Sequence, residues 1–188
     1  MALTLISTPL NITESDTAVS EVVINSGLTS SYKAYEIHII GVHSANGASG
    51  ANLKWQCNAE TGTNTTGYDQ VIQSTAVRAY HQEDGTGGEV GYRTGEDQAG
   101  TTNYEFVCDN TGGDADQTVC AILKIFDPAS DVYVKQFILQ GVSQMNSDGI
   151  KHDWRAGYIN TDEPIDDIRF AFSAGDIDAG IIKLYGVS

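Results

Sequence analysis

Apolar side chains recur at every second position in run after run of this chain, and that period of two restricts its fold more than any other feature. Tyr35, Ile37 and Ile39 alternate with Glu36 and His38. Leu53, Trp55 and Cys57 share one face opposite Lys54 and Gln56, and Val119, Ala121, Leu123 and Ile125 repeat the pattern around Lys124. Strands point successive side chains to opposite faces, whereas a helix needs a repeat near 3.6, so the pattern specifies half-buried strands. Residues 68–81 fit a short helix striped by Val71, Ile72, Ala76 and Ala79, or a strand in which Val71, Gln73 and Thr75 alternate. The β-flanks favour the strand.

The closing residues 165–188 carry two such runs, Ile168-Phe170-Phe172 and Ile182-Leu184, around a polar turn. They are expected to form a terminal hairpin, with Asp176 and Asp178 at its tip. A first strand over residues 3–7 stops at Pro9, which cannot donate to a sheet ladder and belongs at an edge or strand end. Residues 83–100 hold six glycines and are expected to be an exposed, weakly structured loop. About ten to twelve short strands separated by turns predict a single all-β sandwich domain spanning 1–188.

Asp and Glu number 25 against 10 Lys and Arg, for a net charge of −15. Such a surface repels nucleic acid and anionic membranes. No basic cluster offsets it, since the nearest basic neighbours, Lys151 and Arg155, have Asp153 between them. Neither nucleic acid nor membrane is expected as a partner. No run approaches the roughly 18 apolar residues of a membrane span. The first ten residues lack the basic and apolar regions of a signal peptide, so synthesis in a cytoplasm is expected. Asn11-Ile-Thr13 and Asn64-Thr-Thr66 match a glycosylation sequon, read as chance in that compartment. Cys57, Cys108 and Cys120 are odd in number and widely spaced, and read as buried free thiols in strands. One strand-to-strand disulfide stays open.

Nucleophile elbows, zinc-binding His pairs, phosphate loops and paired-cysteine motifs are absent from the sequence. Gly85, Gly87, Gly88 and Gly91 have the wrong spacing and setting for a dinucleotide loop. Asp109, Asn110, Asp114 and Asp116 offer oxygen ligands within one segment, but not at calcium-loop spacing, and read as a solvated turn. Trp154 and Tyr158 share a strand face, read as the core face rather than a sugar-stacking platform. His38, His43, His81 and His152 are scattered. No catalytic, cofactor or metal residue is assigned, and an enzyme is not expected.

Several stretches carry a resemblance. They are Met1-Ala-Leu-Thr-Leu-Ile-Ser-Thr8, residues 30–43 (Ser30-Ser-Tyr-Lys-Ala-Tyr to Gly-Val-His43), Ala79-Tyr-His-Gln-Glu-Asp84 and Pro128-Ala-Ser-Asp-Val-Tyr-Val-Lys135. Ala156-Gly-Tyr158, Ile165-Asp-Asp-Ile-Arg-Phe170 and Gly180-Ile-Ile-Lys-Leu-Tyr-Gly186 complete them. Together they span nearly the whole chain, which resembles small virion-associated structural proteins of marine tailed bacteriophages. The resemblance implies a jelly-roll-like antiparallel β-sandwich on a phage particle, assembled as a homotrimer. The implied role is capsid decoration or cement, or a head or tail appendage, in contact with other virion proteins. The alternative is a glycan-binding, receptor-recognition module of a tail fibre. The partner contacts are expected on the N-terminal strand, residues 1–10 (Leu3, Leu5, Ile6, Pro9 and Leu10), and on the glycine-rich loop (Tyr92 and Arg93).

Overall fold

The computed structural model describes residues 2–46, 50–59 and 67–188. The chain runs through β1 (Leu3–Ile12), β2 (Val22–Ile24), β3 (Ala34–Ser44), β4 (Ala51–Ala59), β5 (Ile72–Gln82), β6 (Gly88–Tyr92) and β7 (Ala99–Thr101). It continues through β8 (Glu105–Thr111), β9 (Val119–Phe126), β10 (Lys135–Met145), β11 (Gly149–Ile159), β12 (Ile165–Phe172) and β13 (Ile177–Val187). Every pairing is antiparallel. No helix occurs among the described residues. The expected all-β, jelly-roll-like sandwich is the observed fold.

One layer is an eight-strand sheet in the order β1-β13-β3-β9-β10-β11-β5-β6, with β7 also on β5. The other is β8-β4-β12-β2, joined to the first where Met145 of β10 pairs with Thr111 of β8. Ile37, Ile39, Leu123 and Leu139 of the first layer are buried against Leu53, Ile168 and Phe170 of the second. At the centre Trp55 of β4 meets Phe137 of β10 edge-on, with ring centroids 5.1 Å apart and planes at 88°. That geometry suits the aromatic quadrupoles.

Three expectations need correction. Residues 165–188 are not a hairpin: β12 pairs with β4 and β2, while β13 pairs with β3 and β1. Residues 173–176 carry the chain between layers. Alternation reveals that a strand has one buried face but not which strand lies beside it, and here the two faces look at each other across the core. The glycine-rich segment is not weakly structured. Gly85 and Gly87, at φ 78° and 67°, turn the chain back, and β6 and β7 both pair with β5. They raise the strand total among the described residues to thirteen. Within that segment Glu96 and Gln98 are buried. Finally, Asp109 belongs to β8 rather than to a solvated turn. Residues 68–81 do contribute a strand, β5. Pro9 lies inside β1, at the sheet edge, where the register slips between Ser7 and Leu10.

Candidate interaction face

Strand β11 reverses the usual order of burial. Its inward residues include Lys151, Asp153 and Arg155, each at most 2% exposed, while Ile150, Trp154 and Tyr158 point outward at 47%, 38% and 38%. Trp154 and Tyr158 are therefore on the exposed face, not in the core as expected. The reversal has a local cause. The segment that covers the inner side of β11 brings carboxylates: Glu96 from the β6–β7 connection, and Glu105 and Asp109 from β8.

These groups form a buried ion network. Asp109 accepts from Lys151 Nζ and from Arg78, both at 2.7 Å. Arg155 donates to Glu96 at 2.9 Å, Asp153 at 3.3 Å and Glu105 at 3.4 Å, and Arg78 also reaches Glu96 at 3.1 Å. Four carboxylates thus surround three cations. Burial pushes the Asp153 carboxyl up to about 6, against the pull of Arg155, and raises Glu105 as well. Burial would raise Asp109 too, but Lys151 and Arg78 outweigh it and hold it low. Glu96, Asp109 and Asp153 bring carboxylate oxygens within 4.8 Å of one another, a spacing that suits a metal ion. The chain's own guanidinium and ammonium groups already occupy the positions a cation would take, so the cluster reads as structural.

The outward side of the eight-strand sheet is organised in cross-strand rows. One row runs Lys183, His38, Ile122, Gln140, Trp154, Val77, Tyr92, one residue from each of β13, β3, β9, β10, β11, β5 and β6. The next runs Leu5, Tyr185, Glu36, Lys124, Ile138, Ala156, Thr75, beginning at β1. A third joins Cys120, Val142, His152, Ala79 and Val90. A shallow groove of about 380 Å³ crosses the first and third rows, lined by Ile40, Cys120, Ile122, Gln140, Val142 and His152 among others. Facing neighbours in a row have Cβ atoms about 5 Å apart, close enough to act as one surface.

Glu36 is the single carboxylate in these rows. It is bonded to His38 at 3.1 Å and Lys124 at 3.2 Å. Burial would raise its carboxyl, but these two partners outweigh it and hold it below the usual value. His152 packs on Trp154 with ring centroids 3.7 Å apart, and its desolvation lowers its pKa. Cys120 is exposed on this face, contrary to the expectation of three buried thiols. Cys57 and Cys108 are buried as expected, where burial raises both thiols, and all three cysteines are free.

The residues expected to meet a partner divide. Leu3 and Leu5 are exposed, and Leu5 opens the second row beside Tyr185. Tyr92 closes the first row at the opposite end of the sheet. The two segments singled out from sequence thus lie at the two ends of one face. Ile6 and Pro9 are half-buried, with Ile6 packed against the core. Leu10 is inside the core, and Arg93 is held by Glu96 at 3.0 Å and Glu89 at 3.8 Å. The N-terminal strand, residues 1–10, expected to carry partner contacts, falls within β1, which pairs with β13 from Leu3 to Ile12 and forms an edge of the sheet. The exposed apolar residues Ile40, Ile122, Ile138, Val142 and Ile150 of this face went unread in the sequence. A signal was present: around residues 119–126 and 137–142 both alternating sets hold apolar residues, the pattern of a strand covered on both sides. The sequon at Asn64 lies outside the described residues.

A second feature lies on the other layer. An open cleft of about 610 Å³ is lined by Lys54, Asp97, Asn103, Tyr104, Phe106 and Arg169, among others. Lys54 sits 4.7 Å from the Phe106 ring centre and Arg169 5.2 Å from that of Tyr104, so cations already cover faces of these rings.

The class defined by this geometry is an antiparallel β-sandwich that leaves one broad sheet face apolar and nearly free of carboxylates. Compared with family models, with curated proteins and with solved structures, the chain has no match in any of the three.

Proposed function

We propose that this chain is a non-enzymatic structural accessory protein of a bacteriophage particle: a capsid decoration or cement protein, or a component of a head or tail appendage. The observation that carries the reading is the outer sheet face, which exposes Ile122 and Ile138 within its rows and Ile40 and Ile150 beside them, at 43% to 52%. Isolated soluble domains rarely leave a contiguous apolar patch larger than a few hundred Å², and larger patches mark contact surfaces. The whole-chain resemblance to virion-associated proteins supplies the setting, and its other virion proteins are the partners that setting implies. The test is mass spectrometry of purified particles: the protein should be present at many copies per particle, and its absence from intact particles overturns the reading.

A second reading, a glycan-binding module of a tail fibre, draws on the cleft at Lys54, Tyr104, Phe106 and Arg169. Polar side chains beside aromatic rings suit a sugar, although the ring faces are partly taken by cations. The two readings use opposite layers of the sandwich. Binding on a glycan array that is lost in Tyr104→Ala but kept in Ile122→Glu favours the second; an array with no signal sinks it.

A further inference from the structure

We propose that the outer face of the eight-strand sheet is covered by a second copy of this chain, paired about a two-fold axis. The inference rests on reading this face as a contact surface, not on the particle that carries it.

Size is the first argument. Eight strands about 4.8 Å apart, over about 26 Å of strand length, give a footprint of about 900 Å². Each partner in a standard stable interface buries about 800 Å². Charge is the second. With 25 acidic and 10 basic residues, any two copies repel through most of their surface. Glu36 is the only carboxylate in the rows; Lys124 pairs with it and His38 is hydrogen-bonded to it. Two copies can meet here without carboxylate facing carboxylate, whereas a basic partner would find no free acid to recognise.

Self-complementarity is the third argument. A two-fold contact matches a surface with itself. The seven-residue row has Gln140 at its middle, Lys183 at one end and Tyr92 at the other. Lys183 has no ion pair among the described residues, and the Tyr92 hydroxyl donates to Asp97 at 2.6 Å. An axis between the two Gln140 side chains, lying in the contact plane and across the row, lays the Lys183 end of each copy over the Tyr92 end of the other. It also sets Ile122 against Trp154 and joins the two central amides.

Sedimentation velocity of the purified chain from about 1 to 100 μM is the test, with Ile122→Glu and Ile138→Lys as variants. The expected result is a dimer, weakened about 30-fold or more by either change, with circular dichroism and melting temperature retained. Gln140→Cys in a Cys120→Ser background should form a disulfide-linked dimer on mild oxidation. A chain that is monomeric throughout overturns the proposal, and so does a dimer untouched by both variants. A trimer, or a dimer that Gln140→Cys fails to link, overturns the two-fold geometry. A monomeric protein that is nonetheless found in particles would leave the proposed function standing and remove this inference alone.

Discussion

Asp153 is the residue on which pH acts most directly. Its carboxyl is raised from 3.8 to about 6 in the folded chain. The folded state therefore holds this proton more tightly than the unfolded state, and the cost of burying the charge is present above about 6 and relieved as pH falls. A shift of about two units corresponds to about 3 kcal/mol at most. Glu105, also raised by burial, acts in the same direction; Asp109, held low by Lys151 and Arg78, loses its contribution only in more acidic solution. The melting temperature should thus rise between pH 7.5 and 5.5, and Asp153→Asn should flatten that rise in a thermal scan at matched ionic strength. An unchanged slope would assign the effect to general charge relief instead. Arg155 tests the same network from the other side. Arg155→Met leaves Glu96, Glu105 and Asp153 without their shared cation, and breaking a buried pair in this way costs about 3–5 kcal/mol. Urea denaturation should show a loss of that size.

Among the elements, β11 depends on a close approach that only glycine permits. A Cβ on Gly157 would run into the Gln73 carbonyl oxygen of β5 and lie 2.9 Å from the Phe137 ring. Gly157→Ala should cost about 1–3 kcal/mol, read by the same denaturation, with the damage centred on the β5–β11 pairing. At the sheet edge β6 is exposed on nearly every residue and, among the described strands, bonded to β5 alone, whereas β10 is flanked by β9 and β11. Native-state hydrogen exchange should therefore find the amides of β6 opening at far lower free energy than those of β10. The strands β3, β4 and β9 were legible because Tyr35-Ile37-Ile39, Leu53-Trp55-Cys57 and Val119-Ala121-Leu123-Ile125 alternate cleanly. What failed was everything set by a partner distant in sequence. Nothing within residues 83–100 says that Glu96 will find Arg155 and Arg78, so those glycines looked like slack. Lys151, Asp153 and Arg155 alternate with Ile150, His152 and Trp154, and local rules assign the charged set to water. Only the carboxylates delivered by β8 and residue 96 reverse that choice, and with it they turn Trp154 outward onto the candidate face.

Over the whole molecule, charge and apolar surface are kept apart, and this decides how an assembly should respond to salt. Each chain carries a net charge of −15, distributed away from the outer sheet face. Two copies meeting on that face gain from apolar burial, which does not weaken in moderate salt, and lose from long-range repulsion between two acidic bodies. Raising ionic strength from 0.01 to 0.15 M shortens the screening length from about 30 Å to about 8 Å and removes most of that repulsion. Any ion pair that Lys183 makes at the rim is screened as well, but exposed pairs are worth at most about 1 kcal/mol each. The repulsive term is the larger of the two. The dissociation constant should therefore fall as sodium chloride is raised across this range, measured by sedimentation velocity. A contact held by ion pairs would do the opposite. The single exposed thiol offers a parallel reading, since Cys120 lies within the groove at the middle of the face. Maleimide should modify one of the three cysteines in the native chain and all three in denaturant. The rate at Cys120 should drop as protein concentration and salt rise together, because both bring the second copy down over it. A rate that stays constant while the chain associates would place the contact on another surface.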